Sequence, residues 1–346
     1  MGTGKRNGLV FSLLAVLLAA VTLLSLASGQ IHVPAPALVS ILGNGLGLPG
    51  LAGAPLTPEQ TAVVWHIRLP RLLVGLLVGA ALGVSGAVMQ GVFGNPLADP
   101  GMIGVSAGAS LGAVIAVLLG VTANGLYYMP LFALTGALLA MLLTVSLSLR
   151  HGKIPVMTLL LAGVAVSMLL GALTSGILTF MNENRVREFL FWMVGGLDYR
   201  RWEHVGMAAA PVLTGTVILC LLARQLNILA LGEQEARAVG MPVFALRLLL
   251  LFIAAATTAA AVCVSGSIGF VGLVVPHVMR LLLGPEHRRL LPACALAGAA
   301  FLIACDVAGR LLIPPAEIRV GIMTALLGAP YFLYLLRRVQ QKGGLS

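Results

Sequence analysis

Residues 68–110 read RLPRLLVGLLVGAALGVSGAVMQGVFGNPLADPGMIGVSAGAS. Arg68 and Arg71 stand at i and i+3 and open an apolar span of more than 20 residues. The span stops at an Asn-Pro-Leu turn, and a second apolar span begins at once. The stretch reads as two membrane helices joined by a short polar hairpin, NPLADPG, with paired arginines at the opposite end of the first. Runs of this length cross the roughly 30 Å hydrocarbon layer as helices, because lipid offers backbone groups no partners. Gly and Ala are too frequent here for a simple anchor. Small residues let helix backbones approach closely in lipid, so the first helix is predicted to be surrounded by others, as in a transporter core.

The rest of the chain agrees. Of its 346 residues 59% are hydrophobic and 9% charged, and the mean hydropathy is +1.04; soluble globular domains do not have that balance. The 42 glycines are scattered through apolar runs, which fits packing surfaces and not a flexible linker. A net charge of +10 would suit a nucleic-acid binder. The basic residues, however, are dispersed over short loops, and no soluble domain carries a basic face. An excess of positive charge on cytoplasmic loops accounts for the balance, so no nucleic-acid partner is expected. Cys220, Cys263, Cys294 and Cys305 all lie in apolar runs without C-x-x-C spacing. They read as buried small hydrophobes, not as disulfides or metal ligands.

Lys5 and Arg6 precede an apolar run longer than a signal peptide's, with a poor cleavage site at its end. It reads as the first membrane helix, with the N-terminus in the cytoplasm. Apolar runs near 9–28, 69–93, 102–121, 129–149, 155–180, 205–223, 244–264, 268–283, 290–312 and 320–336 predict an all-α integral membrane protein. They give ten transmembrane helices in a single domain over 1–346, with both termini cytoplasmic. The run at 268–283 is short and holds Gly272 and Pro276, so a broken or half-length helix is expected there.

This topology places Lys5, Arg6, Arg150, Lys153, Arg224, Arg237, Arg247, Arg280, Arg288, Arg289, Arg337, Arg338 and Lys342 inside. Outside stand Arg68, Arg71, Arg185, Arg187, Arg200, Arg201, Arg310 and Arg319. The bias runs in the expected direction and is modest. Arginines kept outside against the rule need a reason, and a docking surface is one. Three loops stand out. Residues 30–66 are long and rich in Gly and Pro. Residues 181–204 are amphipathic, with Trp192 and Trp202 at interface-like positions. Residues 224–243 are the one sizeable cytoplasmic connection.

Motifs for chemistry are missing from the sequence. It has no GxxxxGK[ST] phosphate loop, no HExxH and no GxSxG. His277, in GLVVPHVMR, reads as a helix-end hydrogen-bonding group. No catalytic site, metal or cofactor on this chain is expected. Within 224–243, ALGEQEARAVG reads as a short helix, a Gly and a second turn favoured by Met241-Pro242, with Glu233 and Arg237 at i and i+4. Alone, it is either a solvated loop or a surface that a partner protein could push. Asp306 and Arg310, also at i and i+4, either pair to limit desolvation or leave Arg310 to join Arg68 and Arg71 in a basic patch.

Several segments resemble, in order, the permease subunits of type II ABC importers, the FecCD family. They are RLPRLLVGLLVGAALGVSGAVMQ, NPLADPGMIGVSAGAS, NILALGEQEARAVG, GSIGFVGLVVPHVMRLLLGPEHRRLLP and VGIMTALLGAPYFLYLLRR, running from about residue 65 to the C-terminus. That family includes permeases for cobalamin, haem and iron–siderophores. The resemblance implies a ten-helix permease fold, a pathway at the interface of a dimer, here a homodimer, and a bacterial inner (cytoplasmic) membrane. It implies two separate cytoplasmic ATPase subunits, which use ATP and Mg, and a periplasmic substrate-binding protein. It also implies residue roles. Coupling helices near 226–243 would meet the ATPase through Leu231, Gly232, Glu233, Ala236, Arg237 and Gly240. Arg68, Arg71 and Arg310 would receive acidic residues of the binding protein. Asn95 and Leu97 would form a cytoplasmic gate, with Val156 and Met157 as a second gate at the start of the fifth helix.

Two features bear on the substrate. At the second gate the cobalamin permease carries small hydroxyl residues, which this chain replaces with Val156 and Met157. The loop Asn95–Gly101 looks closest to haem and cobalamin permeases, since siderophore permeases often carry Ser-Pro-Asp. Together they rank haem first, a ferric siderophore second and cobalamin third. A further departure is Glu317-Ile318-Arg319, where the family usually has Glu-Leu-Pro. A secondary transporter would place ionisable residues at the membrane midplane, and an intramembrane enzyme would need a paired catalytic constellation; the runs offer neither.

Overall fold

The computed structural model describes residues 3–29, 31, 33–45, 47–48, 56–149 and 155–341. Arg150, Lys153 and Lys342, three of the expected inside cations, lie outside the described residues, as do parts of the 30–66 segment. The chain forms α1 (Thr3–Ala27), α2 (Ala35–Gly45), α3 (Pro58–Ala62), α4 (Leu69–Phe93), α5 (Val105–Leu118), α6 (Tyr128–Ser148), α7 (Val156–Thr179) and α8 (Glu183–Met193). It continues with α9 (Trp202–Leu221), α10 (Ala223–Leu229), α11 (Glu233–Ala238), α12 (Val243–Ser265), α13 (Val271–Leu283), α14 (His287–Leu311) and α15 (Val320–Gln341). A π-helical turn, Val63–Arg68, joins α3 to α4, so one helix runs from Pro58 to Phe93. No strand occurs among the described residues.

All ten predicted apolar runs are helices. Among the described residues, seven helices are long and apolar enough to span a bilayer alone: α1, the Pro58–Phe93 helix, α6, α7, α9, α12 and α14. α5, α13 and the Val320–Tyr334 part of α15 are shorter. The reason for α5 is visible at its ends. Gly104 (φ 88) and Gly120 (φ 68) take left-handed conformations that halt the helix, and each adjoins a 3₁₀ turn, Pro100–Ile103 before and Val121–Asn124 after.

The short α13 corrects one expectation. It is continuous through Gly272 and Pro276, and the break lies ahead of it, at the non-helical residues 266–269 and at Phe270, φ 68. Proline lacks an N–H, so Pro276 leaves the carbonyl of Gly272, four residues earlier, without its helical donor. Gln90 of α4 supplies one: its Nε2 donates to Gly272 O at 3.2 Å.

The central element is α4. Every residue from Ala81 to Gln90 is buried, against α9, α12, α13 and α14. Its glycines lie at backbone contact. A Cβ on Gly79 would sit 2.4 Å from Gly298 O of α14, one on Gly83 2.4 Å from Cys294 O, and one on Gly86 2.1 Å from Gly272 O of α13. α5 and α6 meet in the same way through Gly108 and Gly136. In lipid, where apolar burial does not drive helices together, this close fit supplies dispersion contacts. α1 and α7 lie at the periphery of the chain and remain largely exposed. The four cysteines are free, three of them buried.

Residues 181–204 differ from the sequence reading. Asn182 caps α8 through Oδ1, which accepts from Arg185 N at 3.0 Å. Trp192 is buried and not interfacial, its ring 6.4 Å from that of Phe189. Trp202, by contrast, pairs with Trp65 at 5.5 Å and donates from Nε1 to Trp65 O at 3.0 Å.

Candidate functional site

The polar side chains collect at the two ends of the apolar bundle. At one end, residues 25–29 and 31 meet the start of α4, the end of α14 and the loops before α9 and α15. The sequence reading assigns this end to the outside. Arg71 is its hub. Nη2 donates to Asp306 Oδ1 at 2.8 Å, Nε to the same carboxylate at 3.1 and 3.2 Å, and Nη1 to Glu317 Oε2 at 2.8 Å; Asp198 lies 3.2 Å away. Asp306 is only 2% exposed and also pairs with Arg310 at 3.2 Å. Arg310 donates further to Ser25 Oγ and to the carbonyls of Ser25 and Ser28. Arg68 donates to Leu26 O at 2.6 Å, Ala27 O at 3.1 Å and Ile31 O. It thereby satisfies carbonyls that the last turn of α1 leaves open.

The structure thus brings Arg68, Arg71 and Arg310 together. It does not present them as an outward basic patch of free charge: Arg68 is 5% exposed, and the Arg71 and Arg310 side chains 12% and 7%. Both readings of the Asp306–Arg310 spacing are realised in part, since the two pair and Arg310 also sits beside the other arginines. Arg319, the departure from the usual proline, has a structural role. It donates to Phe191 O, lies 4.2 Å above the Phe191 ring and faces Asp198 at 3.7 Å. It ties the start of α15 to the end of α8 and to the loop before α9, contacts that a proline could not make.

At the other end, α4 gives way to the loop Gly94–Asp99. Asn95 Oδ1 accepts from Leu97 N at 2.9 Å, and Asp99 Oδ1 accepts from Gly101 N at 2.8 Å to cap the 3₁₀ turn. Leu97 is 41% exposed and Met157 69%, with Asn95 and Val156 half-buried. The start of α7 lies at this end, and a Cβ on Gly163 would sit 2.0 Å from Met102 O, so α7 packs directly on the 3₁₀ turn. Beside the loop is a cavity of about 680 Å³, lined by Gln90, Pro96, Asn227, Leu231, Arg280 and His287. Arg280 Nη1 donates to Gln90 Oε1 at 2.9 Å, and His287 N donates to Asn227 Oδ1 at 2.8 Å. Sequence reading missed this cluster, because its members come from α4, α10, α13 and α14.

The segment expected to meet the ATPase forms two short helices, α10 and α11. Glu233 pairs with Arg237 at 2.5 Å and with Arg247 at 3.4 Å. α11 ends on a paired turn: Met241 N donates to Ala236 O at 3.0 Å and Gly240 N to Arg237 O at 2.9 Å. That geometry needs the left-handed conformation of Gly240, φ 77. Ala236 is fully buried and faces the bundle, whereas Leu231 and Val239 are 72% and 67% exposed. No group of His, Cys, Asp and Glu among the described residues could hold a metal ion.

A profile of the FecCD transport family matches residues 17–338. The chain belongs to the FecCD family. This FecCD permease is 45% identical over 334 residues to the cobalamin import system permease of Halobacterium salinarum, covering 94% of this chain and 89% of that one. It is 41% identical to the vitamin B12 import permease of Escherichia coli, covering 93% of each. It is 43% identical to the hemin transport permease of Yersinia pestis, covering 81% of this chain and 86% of that one. A solved structure, described as an inward-facing metal-chelate type ABC transporter, superposes with a TM-score of 0.83 at 33% identity, over 96% of this chain and 99% of that one. The protein is therefore a multi-pass permease subunit of an ABC importer of the metal-chelate, cobalamin and haem class.

Proposed function

We propose that two copies of this permease form the membrane pathway of an ATP-driven importer of cobalamin or a closely related metal tetrapyrrole. ATP is hydrolysed by separate ATPase subunits on the cytoplasmic face, and the cargo is delivered by a periplasmic binding protein. The observation that carries the substrate is the pair of relatives named for cobalamin, which align over 94% and 93% of the chain, against 81% for the hemin permease. This reverses the order drawn from the second gate and the loop together, which put haem first. The loop itself bears little on this choice: Asn95 Oδ1 and Asp99 Oδ1 accept from backbone amides of local turns, so their identity reflects backbone shape more than ligand.

The test is uptake into proteoliposomes holding this chain, its ATPase and its binding protein, with cobalamin, haem and a ferric siderophore offered in parallel. ATP-dependent accumulation of cobalamin is expected. Accumulation of haem alone restores the earlier order, and equal uptake without ATP overturns the importer reading.

The same reading gives α10 and α11 to the ATPase, through the exposed Leu231 and Val239 that flank the buried Ala236. A cysteine placed at Leu231 should crosslink to the ATPase over a short span, and one at Gly120, at the far end of the bundle, should not. Absence of any crosslink from Leu231 would remove the coupling role. Docking of the binding protein at Arg68, Arg71 and Arg310 is also part of this reading. An arriving carboxylate would exchange with Glu317 or Asp198, which are 39% and 18% exposed, and leave Asp306 in place.

A further inference from the structure

The arginines at the outer end can be accounted for one by one. Arg68, Arg71, Arg310 and Arg319 are engaged as described. Arg185 donates to Leu118 O at 2.9 Å, and Arg187 pairs with Glu183 at 3.2 Å. That leaves Arg200 and Arg201, and neither forms an ion pair among the described residues. Arg200 is half-buried and its Nε is buried without a hydrogen-bond partner. Burial brings its pKa down to about 10, and the opposing attraction of Asp198 makes up only part of that loss. Arg201 is exposed.

Both residues line a cavity of about 600 Å³ that opens at this end. Its charged walls are Arg71, Arg200, Arg201 and Arg319 against Asp198 and Glu317, and Arg71 also carries Asp306. The positive surplus therefore rests on Arg200 and Arg201. The chain is bent to present them. Tyr199 adopts φ 58, a left-handed conformation that bulky residues rarely take. The preceding Leu197 is fully buried, while Tyr199 is 89% exposed beside the two guanidiniums. Exposed Tyr and Arg side chains are the types that dominate protein–protein contact energies. A half-buried guanidinium without a counter-ion is destabilising until a carboxylate arrives, which then forms a charge-assisted and bidentate contact.

We propose that Tyr199, Arg200 and Arg201 form an acid-receiving site for the binding protein, in the same cavity as Arg71 and additional to the docking role of Arg68, Arg71 and Arg310. The occupant is a surface carboxylate, Asp or Glu, on one lobe of that protein. The inference rests on the importer reading and adds to it the place where uncompensated charge waits. Because the contact is partly exposed and charged, it governs encounter and orientation while allowing release.

The test is binding of the binding protein to the complete transporter in nanodiscs of zwitterionic lipid, at low and at physiological salt. The variants are Arg201→Glu, the double Arg200→Glu/Arg201→Glu and the double Arg200→Lys/Arg201→Lys. Charge reversal at both positions should weaken affinity about tenfold or more and flatten its salt dependence. The lysine pair should retain most of the affinity. Arg201 is exposed, so its single reversal tests the site even if the double variant folds poorly, and several-fold weakening is expected of it. Wild-type affinity in Arg201→Glu and the double reversal, with the wild-type transporter binding normally, overturns this inference and leaves the importer reading standing. An effect seen only when anionic lipid replaces zwitterionic lipid assigns the site to headgroups and also overturns it. A wild-type transporter that binds no binding protein overturns the importer reading and the inference with it.

Discussion

Replacing Arg71 by alanine should destabilise the permease by about 3–5 kcal/mol, the range for breaking a buried ion pair from one side. Asp306 is 2% exposed and takes three hydrogen-bonding contacts from Arg71. Without that side chain, only Arg310 remains to balance it, at 3.2 Å. Arg71→Glu should be worse, because it sets a fourth carboxylate among Asp198, Asp306 and Glu317. As exposed docking residues, Arg68, Arg71 and Arg310 would on reversal be expected to weaken docking and leave folding intact. Their burial changes that expectation, and loss of folded protein is now expected to come first. The check is the thermal midpoint and the monodisperse yield of purified protein. Removing both partners, in Arg71→Leu/Asp306→Leu, should be milder than Arg71→Ala, because no buried charge is left unpaired. If Arg71→Ala melts like wild type, the hub is an exposed pair of little energetic weight.

The helices were legible in the sequence, and the charge network was not. A run of 20 apolar residues declares itself without any partner, which is why all ten appeared. The burial of α4 could be read from its Gly and Ala content. α2 and α8 escaped because short amphipathic helices lack such a run. α8 was misread at Trp192, since a tryptophan near a membrane boundary looks interfacial whichever way it turns. The i, i+4 pair Asp306–Arg310 was visible because both ends sit on one helix. Arg71 finds Asp306, Glu317 and Asp198 across 235, 246 and 127 positions, and no local spacing reports such pairs. Arg319 was visible as a departure and unexplained until Phe191 and Asp198 were placed around it. At the other end, a proline that looked like a break became a vacant carbonyl served by Gln90.

That vacant carbonyl leads to the second large effect. Gly86→Ala should destabilise the permease at or above the upper end of the roughly 1–3 kcal/mol usual for an overpacked core. The new methyl would sit 2.1 Å from Gly272 O and 2.5 Å from Gly272 Cα. Both are backbone atoms, so no rotamer change relieves the contact and α4 must move away from α13. Separation would also weaken the Gln90–Gly272 hydrogen bond, and with it the Arg280–Gln90 contact that borders the cavity near Asn95. Uptake should therefore fall further than folded yield does. Gly206→Ala on α9 and Gly8→Ala on α1 are the controls, because a Cβ there meets nothing within 4 Å. Helical glycine to alanine in open space stabilises by about 0.5–1 kcal/mol. The three variants make the same chemical change, so a difference in midpoint between Gly86→Ala and the controls measures the helix contact itself. Equal midpoints would mean that α4 and α13 do not touch at this depth, and the link between the hairpin loop and α13 would have to run elsewhere.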